Sequence, residues 1–144
     1  MNAKSAAIVA SALALAACTI QQTVQPVTQV VSKTVCVVEN TGVKPGFLEA
    51  YRRTLTGKGY QVRQLPPTAA LTECPVTSTY SANWRWDMAL YMEYAEINVY
   101  NNAQPVGKAT YDARSGGGNM SKFIDADKKV AELADKLFPG GAGS

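Results

Sequence analysis

Residues 80–92 restrict the possible folds more than any other part of the chain. Trp84, Trp86, Met88, Leu90 and Met92 alternate with Asn83, Arg85, Asp87, Ala89, Tyr91 and Glu93. Successive side chains of an extended backbone point to opposite faces, so a period of two sustained this long predicts a strand, not a helix. So apolar a face needs a covering layer, and the plainest arrangement packs both tryptophans under a helix. Ile97 and Val99 continue the signal after a turn expected near residues 93–95. Asn101-Asn102-Ala103-Gln104 has hairpin chemistry. Residues 106–112 are expected as the last strand, with Pro105 at its start, where a missing N–H does least harm.

The flanking segments supply the rest of a compact α+β domain. Thr34-Val35-Cys36-Val37-Val38-Glu39 is a β-branched run ended by Asn40-Thr41-Gly42, which predicts a buried strand. Pro45 suits a first helical turn, and Phe47, Leu48, Tyr51 and Leu55 recur at helical spacing. Gly57 and Gly59 supply the stop, and residues 60–65 return as a second strand that Pro66-Pro67 ends. Strand, helix and strand joined by short turns form a βαβ unit, whose strands are expected to be parallel. A loop is expected over residues 66–79. Beyond the glycines at 116–118, a last helix is expected over residues 120–138. Phe123, Ala126, Val130, Leu133 and Leu137 form its buried stripe, and Asp125, Asp127 and Lys136 are placed as the helix dipole favours. The predicted order is β-α-β-β-β-α: one mixed sheet with two helices packed on one face.

The beginning of the chain carries a different signal. Lys4 precedes an apolar run over residues 6–17 that is interrupted only by Ser11. A run of that length is too short to span a bilayer and has the parts of a secretory signal. It closes on Leu15-Ala16-Ala17-Cys18, which resembles the lipobox of bacterial lipoproteins. The resemblance implies cleavage before Cys18, a diacylglyceryl group on its thiol and acylation of the new amino group. Thr19 stands where an aspartate would imply retention at the inner membrane, so the resemblance implies an anchor on the periplasmic face of the outer membrane. The chain then divides into a signal peptide (1–17), a lipidated cysteine with a flexible tether (18–33), a periplasmic domain (34–139) and a disordered tail (140–144). The tether reading rests on four glutamines, Pro26 and the lack of charge before Lys33.

The composition excludes several functions. The formal charge is +3, too small for an electrostatic nucleic-acid binder. With no histidine, the chain has no Ser-His-Asp chemistry and no His-ligated zinc, and no cofactor or metal is expected. If lipid occupies Cys18, then Cys36 and Cys74 are the only thiols left in an oxidising compartment, and a disulfide between them is expected. Two separate thiols are the alternative. The bridge would limit the unfolded chain by roughly 4 kcal/mol at most. Tyr91, Tyr94, Tyr100 and Tyr111 could line the sheet face opposite the helices and present an aromatic surface. The glycines at 116–118 before Lys122 lack phosphate-loop spacing and read as a flexible connection. Asp87, Glu93 and Glu96 read as a solvated strand face, with nothing to mark them as a catalytic carboxylate pair.

The run SANWRWDMALYMEYAEINVYNNAQPVGKATYDA, with VCVVEN and PGFLEAYRR before it, resembles a group of short uncharacterised proteobacterial lipoproteins over most of residues 34–138. The element order more loosely resembles the N-terminal domain of TolB and the core of the curli-secretion lipoprotein, which serve in envelope assembly. The resemblance implies a non-catalytic membrane-anchored lipoprotein that presents a small domain to an envelope partner. The oligomeric state stays open. The alternative is a small-ligand or glycan-binding module that uses the tyrosine-rich sheet face.

Overall fold

The computed structural model describes residues 19–142. Six strands and two helices follow one another as β1 (Gln21–Gln25), β2 (Thr34–Val38), α1 (Pro45–Gly57), β3 (Gln61–Leu65), β4 (Val76–Asp87), β5 (Ala89–Asn101), β6 (Gln104–Asp112) and α2 (Ala126–Leu137). A short 3-10 turn, Met120–Lys122, precedes α2. All six strands form one mixed sheet in the order β1-β6-β5-β4-β2-β3. The fold is α+β, as the sequence predicts. The βαβ unit is present, with β2 and β3 parallel. Compared with the expected order, the chain has β1 in front and one more strand after α1.

Both helices lie on one face and share a single core with it. Phe47, Leu48, Tyr51 and Leu55 of α1 are buried, as are Val130, Leu133 and Leu137 of α2. Beneath them lie Val35 and Val37 of β2, Val76 and Tyr80 of β4, Ile97 and Val99 of β5, and Ala109 and Tyr111 of β6. Phe47 stacks on Tyr80 at 5.0 Å, which adds about 1 kcal/mol to simple burial. Tyr60 meets Phe138 at 5.4 Å, joining the two helical segments. Gly59 turns the chain out of α1 with φ +92°, a conformation that strains any residue with a Cβ.

The structure corrects several expectations. The tether reading of residues 18–33 fails from Gln21 onward: β1 pairs antiparallel with β6 over five residue pairs, and Val27 is buried. The Val27 N–H donates to the Leu137 carbonyl at 2.8 Å and so ties this segment to the end of α2. An edge strand of glutamine and threonine has little apolar periodicity to betray it, because its stability comes from the backbone ladder. Next, β4 begins at Val76, inside the expected loop. Thr77 and Ser78 are fully buried there, with their hydroxyls satisfied. The Ser78 hydroxyl donates to the Asn98 carbonyl, and Tyr51, whose pKa burial raises, lies 2.8 Å from it as the matching donor.

The turn expected near residues 93–95 lies instead at Met88, which has φ +62°. The alternation survives the reversal because Trp84 pairs with Met92 and Trp86 with Leu90, so the apolar residues of both strands share a face. Glu93 is the extra residue of a bulge that shifts the register between Asn83 and Trp84. The expected helix over 120–138 is divided: Asn119 caps the 3-10 turn, and Asp125 caps α2 by accepting from the Lys128 N–H at 3.1 Å. Phe123 lies between the two and packs edge-on against Tyr91. The tail reading fails for residues 140–142, because the Ala142 N–H donates to the Lys58 carbonyl at 2.9 Å. Among the described residues no helix is long and apolar enough to cross a membrane.

Gly107 is where β6 passes under Val27 and α2. A Cβ there would lie 2.5 Å from Val27 Cγ2 and 3.2 Å from Leu137 Cδ1. Gly107→Ala is expected to cost ~1–3 kcal/mol in urea unfolding, and less in a Val27→Ala background, because the clash is then relieved. The β5–β6 turn gives a second expectation. Asn102 and Ala103 both have positive φ, 47° and 66°. Ala103→Gly is expected to stabilise the domain by about 0.5–1 kcal/mol in the same assay.

Candidate functional site

The helices cover one face of the sheet, and the second face divides into two regions. Over β2 and β3 it is closed by the loop of residues 66–75. Cys36 and Cys74 form a disulfide with their Cα atoms 6.2 Å apart, and with Leu65 they make a small second core. The parity of the strand requires this: Val35 and Val37 face the helices, so Cys36 faces away and needs its own cover. The bridge thus clamps the loop onto the sheet. Cys18 lies outside the described residues.

Over β5, β6 and β1 the second face has no helix on it among the described residues. Tyr94, Glu96 and Asn98 of β5 stand beside Lys108, Thr110 and Asp112 of β6. Glu96 is the hub. It accepts from the Tyr94 hydroxyl and, at 2.7 Å, from the Asn98 amide, while Lys108 lies 3.7 Å away. The Asn98 and Tyr94 hydrogen bonds hold its carboxyl below the usual glutamate range. The same contact with Glu96, followed by partial burial, pushes Tyr94 up to about 12. Arg114 forks onto Asp112 at 2.6 and 3.0 Å and lies over the Tyr94 ring at 4.4 Å. The result is an ordered patch of alternating charge whose aromatic ring already has a cation on it.

The four tyrosines expected on one face are not brought together. Tyr111 is buried on the helix side, with the Lys129 ammonium 5.2 Å from its ring. Tyr91 is buried against Phe123. Tyr94 stands on the open face, half-buried, and Tyr100 is half-buried opposite Thr77. The reason is strand parity and pairing: Tyr94 and Tyr100, six residues apart on β5, share the open face, whereas Tyr111 stands opposite Ala95 on the helix side and Tyr91 lies beyond the bulge at Glu93, against Phe123. The three acids of the expected solvated face are also dispersed. Asp87 pairs with Lys122, Glu93 lies 3.7 Å from Arg85, and Glu96 holds the network above.

A third region is the end of the β4–β5 hairpin. Trp84 packs partly against the core, with Lys44 5.7 Å from its ring. Trp86, expected under a helix, is instead 72% exposed, Met88 86% and Leu90 56%. The correction follows from length: β6 and β1 end level with Tyr94, at Asp112 and Gln21, and the hairpin continues past them. Beside it Lys122, only 3% exposed, reaches Asp87 and the Gly117 carbonyl with its ammonium near the Tyr91 and Phe123 rings. A buried lysine among these partners pins the 3-10 turn to the hairpin. The sequence marks the alternation but not the strand lengths that leave its far end uncovered.

Glu96→Gln is expected to move two titrations. The Tyr94 midpoint should fall from about 12 toward the ordinary value of 10.0, read from the ring carbon shift. The second effect is on stability. A carboxyl whose folded pKa is depressed contributes stability above its ordinary value, here 4.5, and loses it as pH falls through the folded value. The variant should therefore lose less stability than the parent between pH 5 and pH 3, measured by urea unfolding.

No family model matches the chain, and no curated protein matches it. Solved structures do, among them two of PelC dodecamers from Paraburkholderia phytofirmans. One, at 17% identity, covers 86% of this chain and 99% of its own with a TM-score of 0.54. The other, a single-substitution variant, is also 17% identical and covers 83% and 92% with a TM-score of 0.50. At that identity the likeness is one of fold.

Proposed function

We propose that the chain is a non-catalytic lipoprotein, held on the periplasmic face of the outer membrane by an acylated Cys18. Its α+β domain contacts other envelope components, further copies of itself among them. The single observation that carries this reading is the one-sided placement of the helices. They leave a sheet face of ordered polar side chains over β5, β6 and β1, and among the described residues both sheet edges, β1 and β3, lack a neighbouring strand. Such surfaces suit assembly: side chains already fixed by the Glu96 and Asp112 networks lose little freedom on contact. The solved structures of similar fold are dodecamers, which favours copies of this chain as part of the partner set. A short anchor adds to this, since confinement to one membrane plane raises the effective concentration of neighbours.

The alternative, a small-ligand or glycan module on a tyrosine face, has Tyr94 and Tyr100 to draw on, and Arg114 already occupies one side of Tyr94. The assembly reading is tested with the mature protein extracted in mild detergent. Light scattering coupled to size exclusion is expected to give a multiple of the single-chain mass, and Cys18→Ser is expected to move the protein from the membrane fraction to the soluble periplasm. A single-chain mass across micromolar concentrations counts against self-assembly. A Cys18→Ser protein still sedimenting with membranes counts against the anchor.

A further inference from the structure

Four of the six large apolar side chains exposed among the described residues gather at one end of the sheet; Val31 and Val106 lie toward the other end. Trp86, Met88 and Leu90 project there from the β4–β5 hairpin, and Met120, 72% exposed, stands on the adjoining 3-10 turn. The turn and the hairpin form one unit, because Lys122 ties Asp87 to the Gly117 carbonyl. Met88 sits at the apex with φ +62°, where glycine would be relaxed. A large apolar side chain is thus kept, at a cost in strain, at the outermost point of the hairpin.

The strand directions place the start of the chain at the same end. β1 is antiparallel to β6, with Gln21 opposite Asp112, and Asp112 is opposite Tyr94, where the hairpin leaves the sheet. Ile20 packs onto the core there, beside the Gly116 backbone. Only three residue steps separate Cys18 from Gln21, a reach of about 10 Å. From Asn83 to Asp87 the hairpin extends beyond that level by four residues, or about 13 Å. The two lengths are similar, so a Cys18 carried out along the strand axis would bring its acyl chains near the level of the hairpin apex. No long stalk separates them, because the residues read as a tether are held in β1.

We propose that this apolar end, Trp86, Met88, Leu90 and Met120, seats in the headgroup and upper acyl region of the phospholipid bilayer that holds Cys18, fixing the domain upright on the membrane. The inference rests on the acylation of Cys18. Tryptophan with its N–H and a flexible methionine suit a boundary that is apolar on one side and wet on the other. Arg85, on the opposite side of the hairpin and largely exposed, is placed for lipid phosphates. Acyl chains supply the attachment, and the hairpin supplies the orientation.

The test uses the mature lipoprotein reconstituted in phosphatidylethanolamine–phosphatidylglycerol vesicles. Trp86 fluorescence is taken as the difference between the parent and Trp86→Phe. The expected result is quenching of that signal by at least about two-fold when the lipids carry bromine near the top of their acyl chains, with matching protection from aqueous iodide relative to the soluble Cys18→Ser protein. Vesicle flotation and the mass of Cys18 are read on the same sample. Protein that floats with acylated Cys18 but keeps an iodide-accessible, bromine-insensitive Trp86 overturns the inference and leaves the anchor standing. Trp86 shielded from iodide yet untouched by bromine marks a protein contact at the hairpin and overturns it equally. An unmodified Cys18 overturns the anchor and this inference together.

Discussion

The pairing of β4 with β5 is the interaction to which every other element is attached. β2 joins the outer side of β4, with β3 beyond it, and β6 joins the outer side of β5, with β1 beyond it. The two halves use the hairpin differently. The parallel half is short and local, a βαβ unit whose register with β4 extends over Cys36–Thr77 and Val37–Ser78. The antiparallel half is a meander closed by the first strand in sequence. Tyr51, Ser78 and the Asn98 carbonyl link helix to hairpin through the middle of the core, satisfying three polar groups where an unpaired one would be costly.

One-sided helix packing has a second consequence. Each strand has two faces, and only one is sealed by α1 and α2. Over β2 and β3 the remaining face is apolar enough to need cover, and the 66–75 loop supplies it, held by the disulfide. Over β5 and β6 the same face carries carboxylates, amides and cations that neutralise one another, so it tolerates water. The domain thus solves one problem with covalent chemistry on one side and electrostatics on the other.

Elements with strong periodicity were legible in the sequence. The thirteen-residue helix from Pro45, the four side chains of its expected apolar stripe and the return strand agree with the structure because their apolar spacing has one reading. The cysteine pairing was expected once the lipobox resemblance assigned Cys18 to lipid and the compartment was taken as oxidising, and the bridge is present. What escaped was set by partners distant in sequence. β1 has no apolar stripe because it needs only β6 beside it. Thr77 and Ser78 look like loop residues until the neighbouring carbonyls that accept their hydroxyl protons are known. The alternation through Met88 reads the same in one long strand as in a hairpin folded symmetrically about that residue. For the tyrosines, the face of Tyr111 was set by its pairing with Ala95 on β5, a partner the sequence does not name, while Tyr94 and Tyr100 share the other face by their even spacing.

The placement of β1 also determines how the domain bears load. Tension entering at residue 19 runs along the strand axis, and β1 lies antiparallel to β6 through five consecutive pairs. Their hydrogen bonds stand perpendicular to that pull. They must therefore yield in shear, several at once, instead of parting one after another like a zipper. The Val27–Leu137 bond and the packing of Val27 into the notch at Gly107 fasten the far end. A strand that contributes little to the hydrophobic core is in this way the mechanical shackle of the whole unit.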